Sequence, residues 1–226
     1  MNLARRLAAF ERADLYVVIT QAFCAGRGGL TILDQVLAAG VGIVQLREKD
    51  PTDRRLYELA VAFRRRTQAA GALLIIDDRL DIALAAGADG VHLGQEDLPV
   101  DAAREIAPDL IIGASSHSLE EALAAQEAGA GYVNIGPIFA TATKPAVTPL
   151  GLAALEGIAP HLRIPWSTMG GINQRNIAGV VACGARHPAV MSAVTAAVEV
   201  GAAARALREA ILSRPATESE RQGHPR

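Results

Sequence analysis

The sequence predicts an α/β chain folded as a single (β/α)8 barrel over residues 1–212, and three observations carry that reading. Short apolar runs alternate with Ala- and Leu-rich helical stretches about eight times along the chain. A helix–glycine–strand module recurs as LAAGVGIVQLR, LAAGADGVHLG, QEAGAGYVNIG and VACGARHPAVMS, with glycine closing the helix at Gly40, Gly87, Gly129 or Gly184. Half of the residues are hydrophobic, mostly small aliphatics, and only 4% are aromatic, which suits close helix-on-sheet packing. A doubly wound open sheet is the alternative. It usually has fewer strands and a G-x-G-x-x-G turn after the first, and that turn does not occur here.

Each element follows in order. The N-terminal MNLARRLAAFERAD is broken by Glu11 and Asp14 before any signal-peptide core develops, and predicts a first helix packed on the fold. Apolar runs predict strands at Leu15–Thr20, Ile43–Leu46, Leu73–Ile76 and Val91–Leu93, then at Leu110–Ala114, Tyr132–Ile138, Ile164–Met169 and Ala189–Ala193. Helices are expected over Leu30–Ala39 and Asp53–Ala69, the latter with a solvated basic face at Arg64-Arg65-Arg66. A short Ala-rich helix ends at Gly87, and others cover Leu119–Ala128, Leu152–Ala159, Asn173–Ala182 and Val200–Leu212. Trp166, within a strand, is expected in the core. Ser213–Arg226, rich in Pro, Ser, Arg and Glu, is expected to be a disordered tail.

Composition excludes several classes of partner. A formal charge of −2 gives no reason to expect nucleic acid or an anionic membrane surface. No apolar run is long enough to span a bilayer. Cys24 and Cys183 are far apart and lack metal spacing, so a reduced, cytoplasmic protein is expected. Oligomeric state is left open, a homo-oligomer included.

A barrel of this kind places its chemistry just past the strand ends. The third and fourth strands end at Asp77-Asp78 and at Gly94 with Glu96-Asp97, carboxylates on one edge that attract a hard cation such as Mg2+ or simply cap helices. Arg47 and Lys49 follow the second strand. They either pair with Glu48 and Asp50 or face a metal-bound pyrophosphate. Ser115, Ser116 and His117 follow the fifth strand, and His117 is either a proton carrier or a structural hydrogen-bonder. The long loop GPIFATATKPAVTPLG after the sixth carries Thr141, Thr143 and Lys144. Gly170-Gly171 after the seventh, with a helix starting near Asn173 and Ser192 on the next strand, suits a phosphate held by backbone N–H groups.

These residues also carry a resemblance. Gln45-Leu46-Arg47-Glu48-Lys49, Asp78-Arg79, Gly90-Val91-His92-Leu93-Gly94-Gln95-Glu96-Asp97 and Gly136-Pro137-Ile138 stand in the order and spacing of the thiamine phosphate synthases. So do Thr141-Ala142-Thr143-Lys144, Gly170-Gly171-Ile172 and Met191-Ser192-Ala193. The resemblance covers nearly all of Asp14–Leu212 and implies a TIM barrel that joins a pyrimidinylmethyl diphosphate to a thiazole phosphate. It implies that Gln45, Arg47, Lys49, Ser115 and Lys144 contact the pyrimidine diphosphate, and that Asp78 and Asp97 hold Mg2+. Thr141, Thr143, Gly171 and the Met191-Ser192 backbone would bind the thiazole phosphate.

Such a reaction needs charge stabilisers for a leaving diphosphate rather than a nucleophile–base pair, with Arg47, Lys49 and Lys144 as catalytic cations. Several positions depart from the family. Asp77 stands where an Asn reads the pyrimidine, and Arg186-His187-Pro188 replaces the usual Asp-Gly before the last strand. Met169 replaces a smaller residue, and Gln21 stands where an aspartate is usual. A thiazole tautomerase-like barrel and a non-catalytic binder of thiamine precursors are the alternative readings.

Overall fold

The computed structural model describes residues 1–141 and 147–213. Its strands are β1 (Tyr16–Ile19), β2 (Ile43–Leu46), β3 (Leu73–Asp77), β4 (Gly90–Leu93), β5 (Ile111–Ser116), β6 (Tyr132–Ile135), β7 (Trp166–Thr168) and β8 (His187–Val190). They form a closed barrel in chain order, every neighbouring pair parallel. The seam joins β8 to β1 through Tyr16↔Ala189 and Val17↔Val190.

Helix α1 (Leu3–Arg12) precedes the barrel, and α2 (Gly29–Ala38), α3 (Asp53–Ala70), α4 (Leu80–Ala85), α5 (Val100–Ile106) and α6 (Leu119–Glu127) follow the first five strands. Beyond β6 come α7 (Ala153–Ile158), α8 (Ile177–Ala182), α9 (Ser192–Thr195) and α10 (Val200–Leu212). Local chemistry sets the helix ends. Thr52 accepts a hydrogen bond from the Arg55 N–H to start α3, and Gly71, at φ +70°, ends it in the left-handed region that glycine tolerates. Arg208 of α10 reaches back to Asp14 at 2.9 Å and to the Ala39 carbonyl at 2.7 Å, clasping the seam from outside.

Strand alternation divides the core. Leu15, Val17 and Ile19 face the helices, whereas Tyr16 and Val18 face the barrel axis. Phe10 of α1 closes the N-terminal end of the barrel, its ring stacked 4.6 Å from that of Tyr132 and edge-on to Tyr16. A Cβ at Gly113 would overlap the Tyr132 ring, so only glycine leaves it room.

Some predicted bounds shift, each for a local reason. β6 stops at Ile135 because Gly136-Pro137 follows and proline has no N–H for the ladder. β5 runs on through Ser116, so Ser115 lies in the strand rather than past it. β8 starts at His187, which moves Ser192 off the strand and into the first position of α9. α8 starts at Ile177 rather than Asn173, because the Asn176 side chain accepts from the Asn173 N–H and makes a turn there. α5 was not predicted: with only Ala103 buried, it has no apolar stripe to detect. Arg64 is not solvated as expected but pairs with buried Asp89 at 2.6 Å. Trp166 is half-buried against the outer core.

Cys24 and Cys183 are both free. No described helix is long and apolar enough to cross a membrane. The tail beyond Ser213, like Thr143 and Lys144, lies outside the described residues.

Candidate active site

A cavity of about 780 Å3 opens at the C-terminal ends of the strands. The parallel register sends every βα loop to this end, so residues far apart in sequence meet there. One wall carries charge. Asp77 closes β3, and Asp78 follows at φ +60°, a left-handed conformation that aspartate adopts more readily than most residues. Arg47 Nε lies 3.2 Å from Asp77 Oδ2, while Lys49 Nζ lies 3.4 Å from Asp77 and 2.6 Å from Asp78. The cations thus pair with these acids rather than with Glu48, whose carboxylate accepts from the Gln21 N–H at 2.7 Å.

Electrostatics separates the three carboxyls. Burial, reinforced by the charge of Asp78, pushes Asp77 up to about 6 against the pull of Arg47 and Lys49. Burial is the largest single influence on Asp78 and opposes its ionisation, but the hydrogen bond and charge of Lys49, with Asp97 and Arg47, together outweigh it and hold Asp78 below its ordinary range. Asp97 is raised by burial and by Asp78, with which it shares a side-chain hydrogen bond, although it also accepts from the Gly94 N–H at 2.6 Å. Asp78 and Asp97 thus bring two carboxyl groups to one side of the mouth, and their hard oxygens fit Mg2+. Among the described residues no group of three or more acidic, His or Cys side chains is assembled to hold a metal. Water and substrate oxygens would complete the shell, as is usual for this ion.

The opposite wall is backbone. Gly170 and Gly171 have φ of +101° and +64°, and a Cβ on Gly171 would run into the Ala140 carbonyl and Phe139. The Asn173 and Asn176 side-chain amides both donate to the Gly171 carbonyl, at 2.9 and 3.0 Å, and brace the turn. Beside it, past the neighbouring strand β8, lie Met191 and Ser192, where the first N–H groups of α9 have no intrahelical partner. Thr141 lies on the rim between the walls.

Beneath them the cavity floor is polar. Gln45, His92, Ser115 and Asn134 point inward from β2, β4, β5 and β6. His92 and Asn134 were not singled out from the sequence, because each sits inside an apolar strand run where an inward polar residue leaves no periodic trace. His117 lines the cavity edge, and its ring Nδ1 lies 2.9 Å from Glu121 one turn on. That contact is the structural hydrogen bond among the two roles open to it. Every predicted site residue that is described lies on this one cavity except Ser116, which is buried and donates to the Asn134 carbonyl.

A (β/α)8 barrel whose mouth sets paired acids and cations against a glycine turn has the build of an enzyme for phosphorylated small molecules. A model of the thiamine monophosphate synthase family matches residues 15–194, and the chain belongs to that family. It is 48% identical over 200 residues to the thiamine-phosphate synthase of Moorella thermoacetica, across 88% of this chain and 95% of the relative. It is 47% identical over 195 residues to that of Chloroflexus aurantiacus, across 86% of this chain and 90% of the relative. Among solved structures, thiamine phosphate pyrophosphorylase from Pyrococcus furiosus is similar with a TM-score of 0.83 at 39% identity, covering 89% of this chain and 96% of that one.

Proposed function

We propose that the chain joins a pyrimidinylmethyl diphosphate to a thiazole phosphate, giving thiamine phosphate and pyrophosphate. The two-walled cavity is the observation that carries this reading: a charged wall at Arg47, Lys49, Asp78 and Asp97 faces a backbone wall at Gly171 and Ser192. The carbon–oxygen bond to the diphosphate breaks first, its electron pair leaving with the diphosphate, and the electron-rich pyrimidine stabilises the cation. The thiazole nitrogen then forms the new carbon–nitrogen bond with its lone pair, and no proton need be removed.

The chain's own residues supply placement and charge. Arg47 and Lys49 leave Asp77 and Asp78 for the diphosphate oxygens, with Lys144 joining from the loop on the strength of the family pattern, which gives Thr143 to the thiazole phosphate. Gln45, Ser115 and Asp77 hold the pyrimidine. Thr141, the Gly171 turn and the Met191-Ser192 backbone fix the thiazole phosphate, so that the nitrogen waits beside the reacting carbon. Asp78 and Asp97 would hold Mg2+, which when bound supplies positive charge for the leaving diphosphate.

A tautomerase-like activity would leave the Lys49–Asp78 wall without a task. The test is direct: the purified chain is given both substrates with Mg2+, and thiamine phosphate and pyrophosphate are measured. Equal amounts of both products are expected. Absence of product under saturating conditions, with the chain folded, would overturn the assignment.

A further inference from the structure

A line of hydrogen bonds crosses the barrel interior below the cavity and joins two of its floor residues. Gln45 Nε2 donates to the Tyr16 hydroxyl at 2.8 Å, and the Tyr16 and Tyr132 hydroxyls lie 3.0 Å apart. The Tyr132 hydroxyl lies 2.9 Å from His92 Nδ1, and His92 Nε2 lies 2.9 Å from Ser115 Oγ. Gln45 and both tyrosines are almost wholly buried, and burial first of all holds both phenols above their ordinary range, so each keeps its single proton.

One amide sets the direction of every bond in the line. An amide nitrogen can only donate, so Tyr16 accepts from Gln45 and sends its own proton to Tyr132. Tyr132 therefore sends its proton to His92 Nδ1. A neutral imidazole accepting at Nδ1 carries its proton on Nε2, which donates to Ser115 Oγ. Ser115, having accepted, keeps its proton for the cavity. Gln45, with its nitrogen turned inward and one N–H spent on Tyr16, offers its carboxamide oxygen to the cavity as an acceptor.

We propose that Tyr16, Tyr132 and His92 form a positioning relay that sets the polarity of the substrate site, making Gln45 an acceptor and Ser115 a donor. This rests on the proposed reaction, because the ligand it would select is an aminopyrimidine diphosphate. The amino group donates to Gln45, and an anionic oxygen or ring nitrogen accepts from Ser115. The three relay residues do not touch the reacting atoms.

Two measurements test it. Magnetic resonance of the wild-type protein with isotope-labelled histidine, the His92 signal assigned by its loss in His92→Gln, is expected to show a neutral ring protonated at Nε2. A ring protonated at Nδ1 would overturn the relay's direction, and this readout needs no turnover. In kinetics, Tyr16→Phe and Tyr132→Phe delete one hydroxyl each and keep the ring. Each is expected to lower kcat/KM for the pyrimidine diphosphate about tenfold, the scale of one misdirected hydrogen bond to a charged group, with KM for the thiazole phosphate unchanged. The double variant is expected to lose no more than Tyr132→Phe alone, because links in one series are broken once. Additive losses, or equal effects on both substrates, would overturn the proposal. Inactive wild-type protein with the Nε2 proton in place would instead count against the reaction alone.

Discussion

Lys49 Nζ lies 2.6 Å from Asp78 Oδ2 and bridges the loop after β2 to the end of β3. A lysine that is half exposed gains little from an ordinary surface ion pair. Here the pair keeps a cation beside the carboxyls that would receive Mg2+, so ligand binding exchanges partners rather than uncovering charge.

The first expectation concerns that exchange. Asp78→Ala and Asp97→Ala should each lower the rate of synthesis by about a hundredfold or more, as expected when a charge-stabilising metal site is lost, with helical content unchanged. Wild-type protein in excess chelator should behave alike, and added Mg2+ should restore it but not the variants. Steady-state rates against Mg2+ concentration check this; full activity in either variant would refute it.

A second expectation concerns pH and Asp77. Its carboxyl is pushed up to about 6, by burial first and then by Asp78. The folded protein thus binds this proton more tightly than the unfolded chain, so the contribution of Asp77 is most favourable below the ordinary carboxylate range. It is lost as pH rises toward about 6. Asp77→Asn removes the cost of ionisation and should be more stable than wild type near pH 8 by roughly 1–2 kcal/mol, with the two converging near pH 4. Activity at neutral pH should be kept or raised, since an amide supplies the donor that an ionised carboxylate lacks. Denaturant melts at both pH values, with rates alongside, decide it; a less stable Asn variant at high pH would show that the pairs with Arg47 and Lys49 dominate.

A third expectation concerns Gly171. At φ +64°, with the Ala140 carbonyl where a Cβ would sit, Gly171→Val must distort the turn. KM for the thiazole phosphate should rise about tenfold or more, while that for the pyrimidine diphosphate stays within about twofold. Equal changes in both would place the phosphate elsewhere.

Much of this was legible because a barrel strand is a short apolar run that ends where chemistry begins. Asp77-Asp78 stood out as carboxylates directly after such a run and Asp97 as one a few residues past the next, and the glycine pair as a break before a polar turn. Inward-facing polar residues were not legible. His92 is flanked by Val91 and Leu93, and nothing local distinguishes a strand position facing the axis from one facing a helix. The end of β7 and the start of β8 misled for a different reason. Asn173 carries a side chain that suits a helix cap, and its Oδ1 does accept from the Arg175 N–H, but it closes a turn ahead of the helix while its amide braces the Gly171 carbonyl; Arg186-His187-Pro188 does not resemble the opening of a strand although His187 is buried in one.

The seam between β8 and β1 bears on how the molecule is made. β1 leaves the ribosome first, yet one of its edges finds its partner only when the last strand has been synthesised, and the clasp from Arg208 comes later still. In the interval Tyr16–Ile19 is an apolar strand with an open edge, the kind of surface that invites mispairing with other chains. The nascent chain is therefore expected to depend on holding chaperones more than its size alone would suggest, and the wall built from the loops after β7 and β8 is the last part of the mouth to exist.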